Sequence, residues 1–238
     1  MNPVIVALDV ESGSRALALA QTLHGLVGAF KIGSRLFTLE GPDLVKRLVD
    51  AGERVFLDLK FHDIPNTVAQ AVESAVSTGA WMVNVHASGG IPMMQAGARA
   101  GREAAAKLGR PAPLLIAVTV LTSLDATILS QVGITRSPLD QVVHLANLVR
   151  DCGLDGVVAS PQETAAIRQA CGPNFVIVTP GIRGGAAQTK ADDQNRTLTP
   201  AQAMAAGSSY LVVGRPITAA QDPRAAALAI NAELTTSP

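Results

Sequence analysis

A cluster of charged residues in an otherwise apolar segment is the part of the sequence best suited to chemistry. Asp58, Lys60 and Asp63 lie within residues 56–67, which read FLDLKFHDIPNT. Side chains two residues apart on an extended chain face the same way, so we expect Asp58 and Lys60 to point together. Such charges are tolerated in a protein interior only when they pair. A lysine held beside carboxylates can act as an acid or an electrophile, although a purely structural ion network would have the same composition.

Other short apolar runs of the chain also end in polar residues or glycine. If these runs are the parallel strands of a barrel, their carboxyl ends meet at one mouth, where active sites of such barrels are built. Polar residues are common wherever a chain leaves a core, which explains one or two of these positions but not a full ring. Beyond the cluster above, the residues concerned are Asp9, Lys31, Asn84, His86, Thr122, Ser123, Ser160, Arg183, Gly214 and Arg215.

Two glycine–arginine segments predict a phosphate site. Residues 179–183 read TPGIR and residues 213–217 read VGRPI. Glycine lets backbone N–H groups approach an anion, and arginine can donate two parallel hydrogen bonds to it. The loops after strands seven and eight are the usual phosphate site of a (β/α)8 barrel. Either segment alone could be a tight turn, but their occurrence together favours phosphate binding.

The elements that must position these residues alternate along the whole chain. Eight short runs rich in Val and Ile lack polar alternation, as parallel strands buried on both faces do. This pattern predicts a (β/α)8 barrel of the α/β class, forming a single domain over residues 1–238. The predicted strands are 4–8, 29–32, 54–59, 82–85, 114–120, 156–159, 175–179 and 210–213. The predicted helices are 14–24, 42–51, 68–78, 93–108, 139–151, 162–170, 201–206 and 223–234.

The connections between these elements bear on both fold and function. Helix starts are expected at Ser12 or Ser14, at Gly41-Pro42 and at Ser160-Pro161. An open doubly wound sheet is the alternative fold, but residues 9–13 read DVESG rather than a dinucleotide-binding GxGxxG. Residues 121–138 and 181–200 are predicted to be long loops. The second is rich in glycine and polar residues, which is typical of a mobile lid and also of an ordinary surface loop.

Composition excludes several classes of function. Lys+Arg and Asp+Glu each number 19 and the pI is about 6.9, which excludes nucleic-acid binding by bulk electrostatics. Apolar residues reach 48% and mean hydropathy is +0.29, which excludes a disordered chain. Two cysteines, Cys152 and Cys171, are too few for a disulfide framework or a four-ligand zinc site. No secretion signal or membrane-spanning run is visible, so a soluble cytoplasmic protein is expected.

Taken together, these motifs resemble the orotidine 5'-phosphate decarboxylase family in its bacterial form. The signature DxKxxDIPxT at residues 58–67 is highly specific for that family. The resemblance covers essentially the whole chain, and the remaining motifs are ALD at 7–9, KIG at 31–33, NVH at 84–86, LTS at 121–123, TPGIR at 179–183 and GRPI at 214–217.

The resemblance implies an enzyme that converts orotidine 5'-monophosphate to UMP without a cofactor or a metal. It implies that Lys60 donates a proton to C6 of the pyrimidine, within a tetrad completed by Lys31, Asp58 and Asp63. It further implies a homodimer in which Asp63, Ile64 and Thr67 serve the partner's site. The other implied contacts are Asp9 and Lys31 with the ribose, Thr122 with the pyrimidine ring, Gln194 of the lid with base and phosphate, and Arg183, Gly214 and Arg215 with the phosphate.

Physical chemistry indicates how such a site must work. Loss of CO2 from C6 leaves a carbanion that the ring delocalises poorly, and the sequence carries no motif for an electron-sink cofactor. The charge must then be stabilised by a preorganised ammonium group near C6. Asp58 beside the substrate carboxylate would be repulsive before the reaction, and this repulsion would be relieved as CO2 departs.

Two other functions stay open at this point. A barrel resembling 3-keto-L-gulonate 6-phosphate decarboxylase shares the DxKxxD element but needs magnesium, and the IPNT continuation at 64–67 argues against it. A catalytically silent barrel that only binds a nucleotide or a protein is the other alternative, and the complete tetrad argues against it. Among the four histidines, only His86 is expected near the site, in a structural role.

Overall fold

Eight parallel strands close into a barrel, so the predicted (β/α)8 architecture is confirmed. The computed structural model describes residues 1–182 and 198–235. Each strand pairs in parallel with its sequence neighbours, and the last pairs with the first. The strands are β1 (Val4–Ala7), β2 (Ala29–Gly33), β3 (Val55–Phe61), β4 (Met82–His86), β5 (Leu114–Val118), β6 (Gly156–Val158), β7 (Val176–Thr179) and β8 (Tyr210–Val213).

Helices connect the strands, and several of them begin where a side chain caps their free N–H groups. Ser12 and Ser137 accept hydrogen bonds from the first turns of their helices, and Thr199 with Gln202 forms a capping box. None of the helices in the described part of the chain is long and apolar enough to cross a bilayer. They are α1 (Gly13–Leu23), α2 (Ser34–Asp50), α3 (Pro65–Ser77), α4 (Gly90–Lys107), α5 (Ala126–Gln131), α6 (Pro138–Asp151), α7 (Thr164–Cys171), α8 (Pro200–Ala205), α9 (Arg215–Thr218) and α10 (Pro223–Thr235).

Three local predictions were wrong. The second helix begins at Ser34, and Gly41, with φ 66° and ψ −165°, marks a kink between two helical pieces rather than the start. The predicted loop 121–138 contains α5. The prediction of a helix start at Ser160-Pro161 fails because a turn intervenes, in which the Glu163 carboxylate accepts from the Ser160 N–H, and α7 begins only at Thr164.

The barrel interior explains how polar side chains come to its mouth. Its apolar filling includes Ala29, Phe56 and Met82 on β2, β3 and β4. Two residues further along each strand the chain places Lys31, Asp58 and Asn84, which the alternation of a strand directs to the same interior face. A larger apolar cluster fills the space between the strands and the helices. The core therefore ends in a polar layer at the carboxyl end of the barrel.

Candidate active site

Four charged side chains form a continuous row at the carboxyl ends of β1, β2 and β3, here called the mouth cluster: Asp9, Lys31, Asp58 and Lys60. Lys31 Nζ lies 3.3 Å from Asp9 Oδ1 and 3.3 Å from Asp58 Oδ2. Lys60 Nζ lies 2.7 Å from Asp58 Oδ1. The signs alternate, so two ammonium groups and two carboxylates neutralise one another. The sequence prediction that these residues meet is confirmed by the geometry.

Burial differs along this row in a way that matters for chemistry. The side chains of Lys31 and Asp58 are only 10% and 13% exposed, whereas that of Lys60 is 36% exposed. Two ammonium groups and an amide surround the buried carboxylate of Asp58 and satisfy its oxygens. Lys60 is therefore anchored by a buried carboxylate while its ammonium group stays open to a ligand.

Asn84 is the polar residue at this site whose function the sequence did not reveal. Its Nδ2 donates to Asp58 Oδ1 at 2.7 Å, and its Oδ1 accepts from the Lys60 N–H at 2.8 Å. In the sequence, Asn84 is recognisable only as a strand-end residue within the motif NVH. Its position two residues after the interior residue Met82 was the available signal that it faces inward.

The mouth cluster forms one side of a cavity of about 410 Å³. The remaining wall is mostly apolar and comes from the ends of β5 to β8, where the sequence had predicted polar and glycine contacts but not these apolar residues. Such a cavity, apolar on one side with converging charges on the other, is the usual form of a small-molecule site. Its lining residues are Ala7, Asp9, Lys31, Phe56, Asp58, Lys60, Val118, Val120, Leu121, Thr122, Val158, Ala159, Pro180, Gly181, Ile182, Val212, Gly214, Arg215, Pro216 and Thr218.

The predicted phosphate-binding and ring-binding residues lie partly on this cavity. Thr122 lines it, as do Gly214 and Arg215 at the start of α9. Gly181, with a positive φ of 77°, brings the loop after β7 to the same rim. These groups therefore line the same cavity as the mouth cluster. Two predicted residues, Arg183 and Gln194, lie outside the described residues.

The remaining three predicted residues do not line this cavity. Asp63, Ile64 and Thr67 are exposed at the start of α3, and none of them lines the cavity. The Asp63 carboxylate accepts from the Ile64 N–H at 2.6 Å. Ile64 is 66% exposed, which is unusual for a large aliphatic side chain beside a polar site. The described chain thus brings three members of the predicted tetrad together and leaves Asp63 outside.

A pair of histidines lies behind Lys60. The rings of His62 and His86 stack with centroids 5.3 Å apart, and Ser88 Oγ lies 3.1 Å from His86 Nδ1. Burial lowers the pKa of His86, and the nearby His62 and Lys60 lower it further. A neutral His86 ring avoids adding a third cation beside Lys31 and Lys60.

Comparisons with known proteins agree with one another. A family model described as "Orotidine 5'-phosphate decarboxylase / HUMPS family" matches residues 2–230. A protein of Moorella thermoacetica named orotidine 5'-phosphate decarboxylase is 56% identical over 234 residues, which is 98% of this chain and 92% of that protein. A protein of the same name from Paramagnetospirillum magneticum is 51% identical over 234 residues, covering 98% and 99%.

Solved structures show the same similarity in three dimensions. A crystal structure of orotidine 5'-phosphate decarboxylase from Lactobacillus acidophilus has a TM-score of 0.86 at 37% identity, covering 99% of this chain and 100% of that one. An uncharacterised conserved protein from Geobacillus kaustophilus has a TM-score of 0.85 at 40% identity, covering 98% and 100%.

Proposed function

The chain belongs to the orotidine 5'-phosphate decarboxylase / HUMPS family, and from that premise we propose that its mouth cluster carries out the decarboxylation of orotidine 5'-monophosphate to UMP. The activity itself follows from identities of 51–56% to proteins named for it, over almost the whole chain. It is the carboxy-lyase reaction of pyrimidine synthesis, and the magnesium-dependent and silent-barrel alternatives are not supported. What we propose here is which residues bind the substrate and which carry out the reaction.

The substrate is proposed to span the cavity. Arg215 and the backbone around Gly214 would hold the phosphate at one rim. Asp9 and Lys31 would bind the ribose hydroxyls. The pyrimidine ring would then lie near Thr122, with C6 and its carboxylate directed toward Asp58 and Lys60. This orientation is supported by the position of all these residues on one cavity.

The chemical step needs only the protein's own charges. The C6–carboxylate bond breaks, CO2 leaves, and the electron pair stays on C6. Lys60 Nζ then gives a proton to C6, forming UMP, and regains a proton from water. Because the ammonium group is already fixed by Asp58, it stabilises the developing carbanion without reorganising. The carboxylate of Asp58 also repels the substrate carboxylate until CO2 has left.

The single observation that carries this proposal is the 2.7 Å contact between Lys60 Nζ and Asp58 Oδ1 in the cavity wall. The Asp58 carboxylate holds the ammonium group of the catalytic lysine in a fixed position and balances its charge. Lys46 offers a matched control, since it is an exposed lysine of α2 whose ion pair with Asp43 measures 3.7 Å.

The test follows the absorbance change when orotidine 5'-monophosphate is mixed with the protein in EDTA. Wild type and Lys46→Ala are expected to convert it rapidly, and Lys60→Ala to lose at least about 10³-fold in kcat. Turnover that survives in Lys60→Ala would remove Lys60 from the role of proton donor. Turnover that EDTA abolishes would overturn the metal-free mechanism.

The phosphate contributes binding energy far from the reacting carbon. Interactions with Arg215 and the adjacent loops can orient the ring, so orotidine without a phosphate should lose kcat as well as affinity. Equal kcat on saturating orotidine and on its monophosphate would contradict this part of the proposal.

A homodimer is also part of the proposal, with Asp63, Ile64 and Thr67 completing the partner's site. Support comes from their exposure next to the mouth and from their absence from the lining of their own cavity. A self-complementary contact at this rim would bury Ile64 and carry Asp63 toward the other subunit's cluster.

Subunit mixing tests the shared site. Asp63→Asn and Lys60→Ala are each expected to be nearly inactive. Mixed and re-equilibrated, they form hybrids in which one site carries both changes and the other carries none, so about one quarter of wild-type activity should return. A mixture that stays inactive while sedimentation shows hybrid dimers would contradict the proposed role of Asp63 in the partner's site.

The cytoplasm is the proposed location. Both Cys152 and Cys171 carry free thiols, which suits a reducing compartment. Fractionation of producing cells should recover the activity with other cytoplasmic enzymes, and recovery in an extracellular fraction would contradict this.

A further inference from the structure

Asn84 lies at the only irregular point of the described β3–β4 pairing. The register runs from Leu57 opposite Val83 to Phe61 opposite Val85. Four steps along β3 therefore match two steps along β4, and Asn84 is the residue of β4 that faces the excess length. A bulge of this kind takes backbone groups out of the regular ladder. The Lys60 N–H is one of them, and it donates to Asn84 Oδ1 instead.

The backbone of Lys60 is held in a conformation that lysine rarely adopts. Its φ is +53°, and within the described residues it is the one non-glycine residue with a positive φ. Such a conformation persists only where the surroundings enforce it. The hydrogen bond from the Lys60 N–H to the Asn84 side chain is the contact that acts directly on this backbone.

Both ends of the Asn84 amide are used, and each end holds a different part of the site. Nδ2 donates to the Asp58 oxygen, Oδ1, that also binds Lys60 Nζ. Asn84 itself is fully buried at 0% exposure, so water does not compete for either bond. One rigid amide thus fixes the carboxylate of Asp58 and the backbone of Lys60 relative to each other.

We propose that Asn84 is the positioning residue of this active site. By holding the β3 bulge, it directs the Lys60 ammonium group toward C6 of the pyrimidine. The inference rests on the proposed role of Lys60 as proton donor. Asn84 does not touch the substrate in this scheme and acts only through Asp58 and Lys60. The role requires a donor and an acceptor on two separate atoms of one short side chain, which excludes Leu, Ser and an ionised Asp as equivalents.

The first test replaces Asn84 with serine. The expected result is a fall in kcat of about 100-fold, because misplacing a reacting group by roughly an ångström costs that much. KM and the affinity for UMP, measured by calorimetry, should stay within about threefold of wild type, because ribose and phosphate contacts are intact. UMP binding stoichiometry also gives the folded fraction, so kcat is counted per folded site.

Asn231 provides the matched control. Its amide also makes two hydrogen bonds, donating to the Leu26 carbonyl and accepting from Asn2. These contacts lie at the opposite end of the barrel, where β1 and β2 begin. Asn231→Ser removes a comparable number of bonds and is expected to leave kcat per folded site unchanged.

The second test uses Asn84→Asp, which keeps the size of the side chain. The introduced carboxylate would face Asp58, so the two must share a proton to coexist. The charged and titratable groups around it are Asp9, Lys31, Asp58, Lys60 and His86. Once protonated, the introduced carboxyl group can donate to Asp58 again, so the ratio of variant kcat to wild-type kcat should increase as pH is lowered. A variant with a merely packing defect would show no such trend.

The outcomes separate this inference from the proposed function. If Lys60→Ala is inactive but Asn84→Ser keeps kcat within about twofold of wild type, the positioning role is overturned and the proton donor stands. If Asn84→Ser raises KM and leaves kcat unchanged, the positioning role is likewise overturned. If Asn84→Ser does not fold, the pH trend of Asn84→Asp decides: its presence supports the role and its absence overturns it. Turnover in Lys60→Ala overturns the proposed function on its own.

Discussion

The two ends of the barrel use charged side chains in opposite ways. At the carboxyl end, the mouth cluster joins Lys31, Asp58 and Lys60 mainly to one another. At the amino end, charged side chains bind backbone groups of the loops that lead into the strands. Both ends have short polar contacts, but within residues 1–182 and 198–235 the cavity beside the mouth cluster measures about 410 Å³, whereas the one beside Asp155 at the amino end measures about 140 Å³.

Arg168 of α7 shows the amino-end pattern most fully. Its guanidinium donates to the carbonyls of Gly172, Pro173 and Phe175 before β7, at 2.7–2.9 Å. It also donates to the Gly207 carbonyl before β8, at 2.6 Å and 3.2 Å. Its donors are consumed by carbonyls, which locks two loops and leaves little capacity for a ligand.

The contrast indicates what each end contributes. Carboxylates and ammonium groups that contact each other beside a cavity keep spare lone pairs and N–H groups for a substrate. Charged side chains that bind backbone groups instead supply hydrogen-bond partners for backbone N–H and C=O groups that would otherwise be unpaired, which stabilises the fold. This division agrees with the general rule that the carboxyl face of a (β/α)8 barrel carries activity and the amino face carries stability. Substitutions at the two ends should therefore separate kcat from the free energy of unfolding.

The largest effect is expected for Asp58→Asn. It removes the charge that fixes Lys60 and that opposes the substrate carboxylate, so kcat should fall by about 10³-fold. The free energy of unfolding should fall by less than the roughly 3–5 kcal/mol typical of a broken buried ion pair, because Lys31 keeps its contact with Asp9 and Lys60 is partly solvated. Steady-state kinetics and urea unfolding measure the two quantities.

The same substitution at the other end is the control for Asp58→Asn. Asp155 precedes β6 and binds the Leu115 N–H at the amino end, so Asp155→Asn should retain wild-type kcat. Full turnover in Asp58→Asn would refute the electrostatic role of the mouth cluster.

The next largest effect is expected for Arg168→Met, and it should be on stability. Removing the guanidinium leaves several carbonyls of two loops without their donors, so the free energy of unfolding should fall by about 2–4 kcal/mol. kcat per folded site should not change. Urea unfolding followed by circular dichroism gives the first value, and kinetics normalised to UMP binding gives the second.

Arg150→Met serves as the control for Arg168→Met. Arg150 is an exposed arginine that pairs with the neighbouring Asp151 and donates to one carbonyl, that of Ala170. Its replacement should change the free energy of unfolding far less than Arg168→Met does, because water screens its ion pair with Asp151. Equal losses in the two variants would mean that the loops at the amino end are not held by Arg168.

Local patterns were enough to predict the barrel and most of its mouth. Strands buried on both faces must be apolar throughout, so their ends are marked where Asp9, Lys31 and Asp58 break the apolar runs. These residues then meet because parallel strands of a closed barrel share one carboxyl end. Neither step requires knowledge of distant contacts.

What the sequence did not reveal depends on pairing between strands or on neighbouring helices. The function of Asn84 arises from the register shift opposite β3, which no local pattern encodes. The start of α2 was predicted too late, because Gly41-Pro42 has the composition of a helix start, while Gly33 before the true start provides no side-chain cap. The apolar cavity wall was missed because its residues resemble ordinary core.

A smaller effect is expected on the pH dependence of the free energy of unfolding, through His86 at the carboxyl end. Burial, His62 and Lys60 lower the pKa of His86 in the folded protein below 6.5. The unfolded chain then binds the proton more readily, so stability is lost as pH falls below about 6.5. In His86→Gln this loss should be smaller between about pH 7 and pH 5 in urea unfolding.

The smallest effect is expected for the stability of Asp155→Asn. Its pH dependence is opposite in direction to that of His86, because here the wild type loses stability as pH rises. Asp155 is exposed as a residue, yet its carboxylate accepts from the Leu115 N–H at 2.7 Å. Desolvation raises the pKa of Asp155 above 3.8, against that hydrogen bond and the nearby Arg102. A raised pKa means that the folded state holds the proton longer, so wild type loses stability as pH rises through this range. Asparagine keeps the acceptor without the charge, so the variant should have a slightly higher urea midpoint at neutral pH, and the gain should vanish below about pH 4. A lower midpoint at neutral pH would show that the amino end depends on this charge, and the contrast with the mouth cluster would then rest on Arg168 alone.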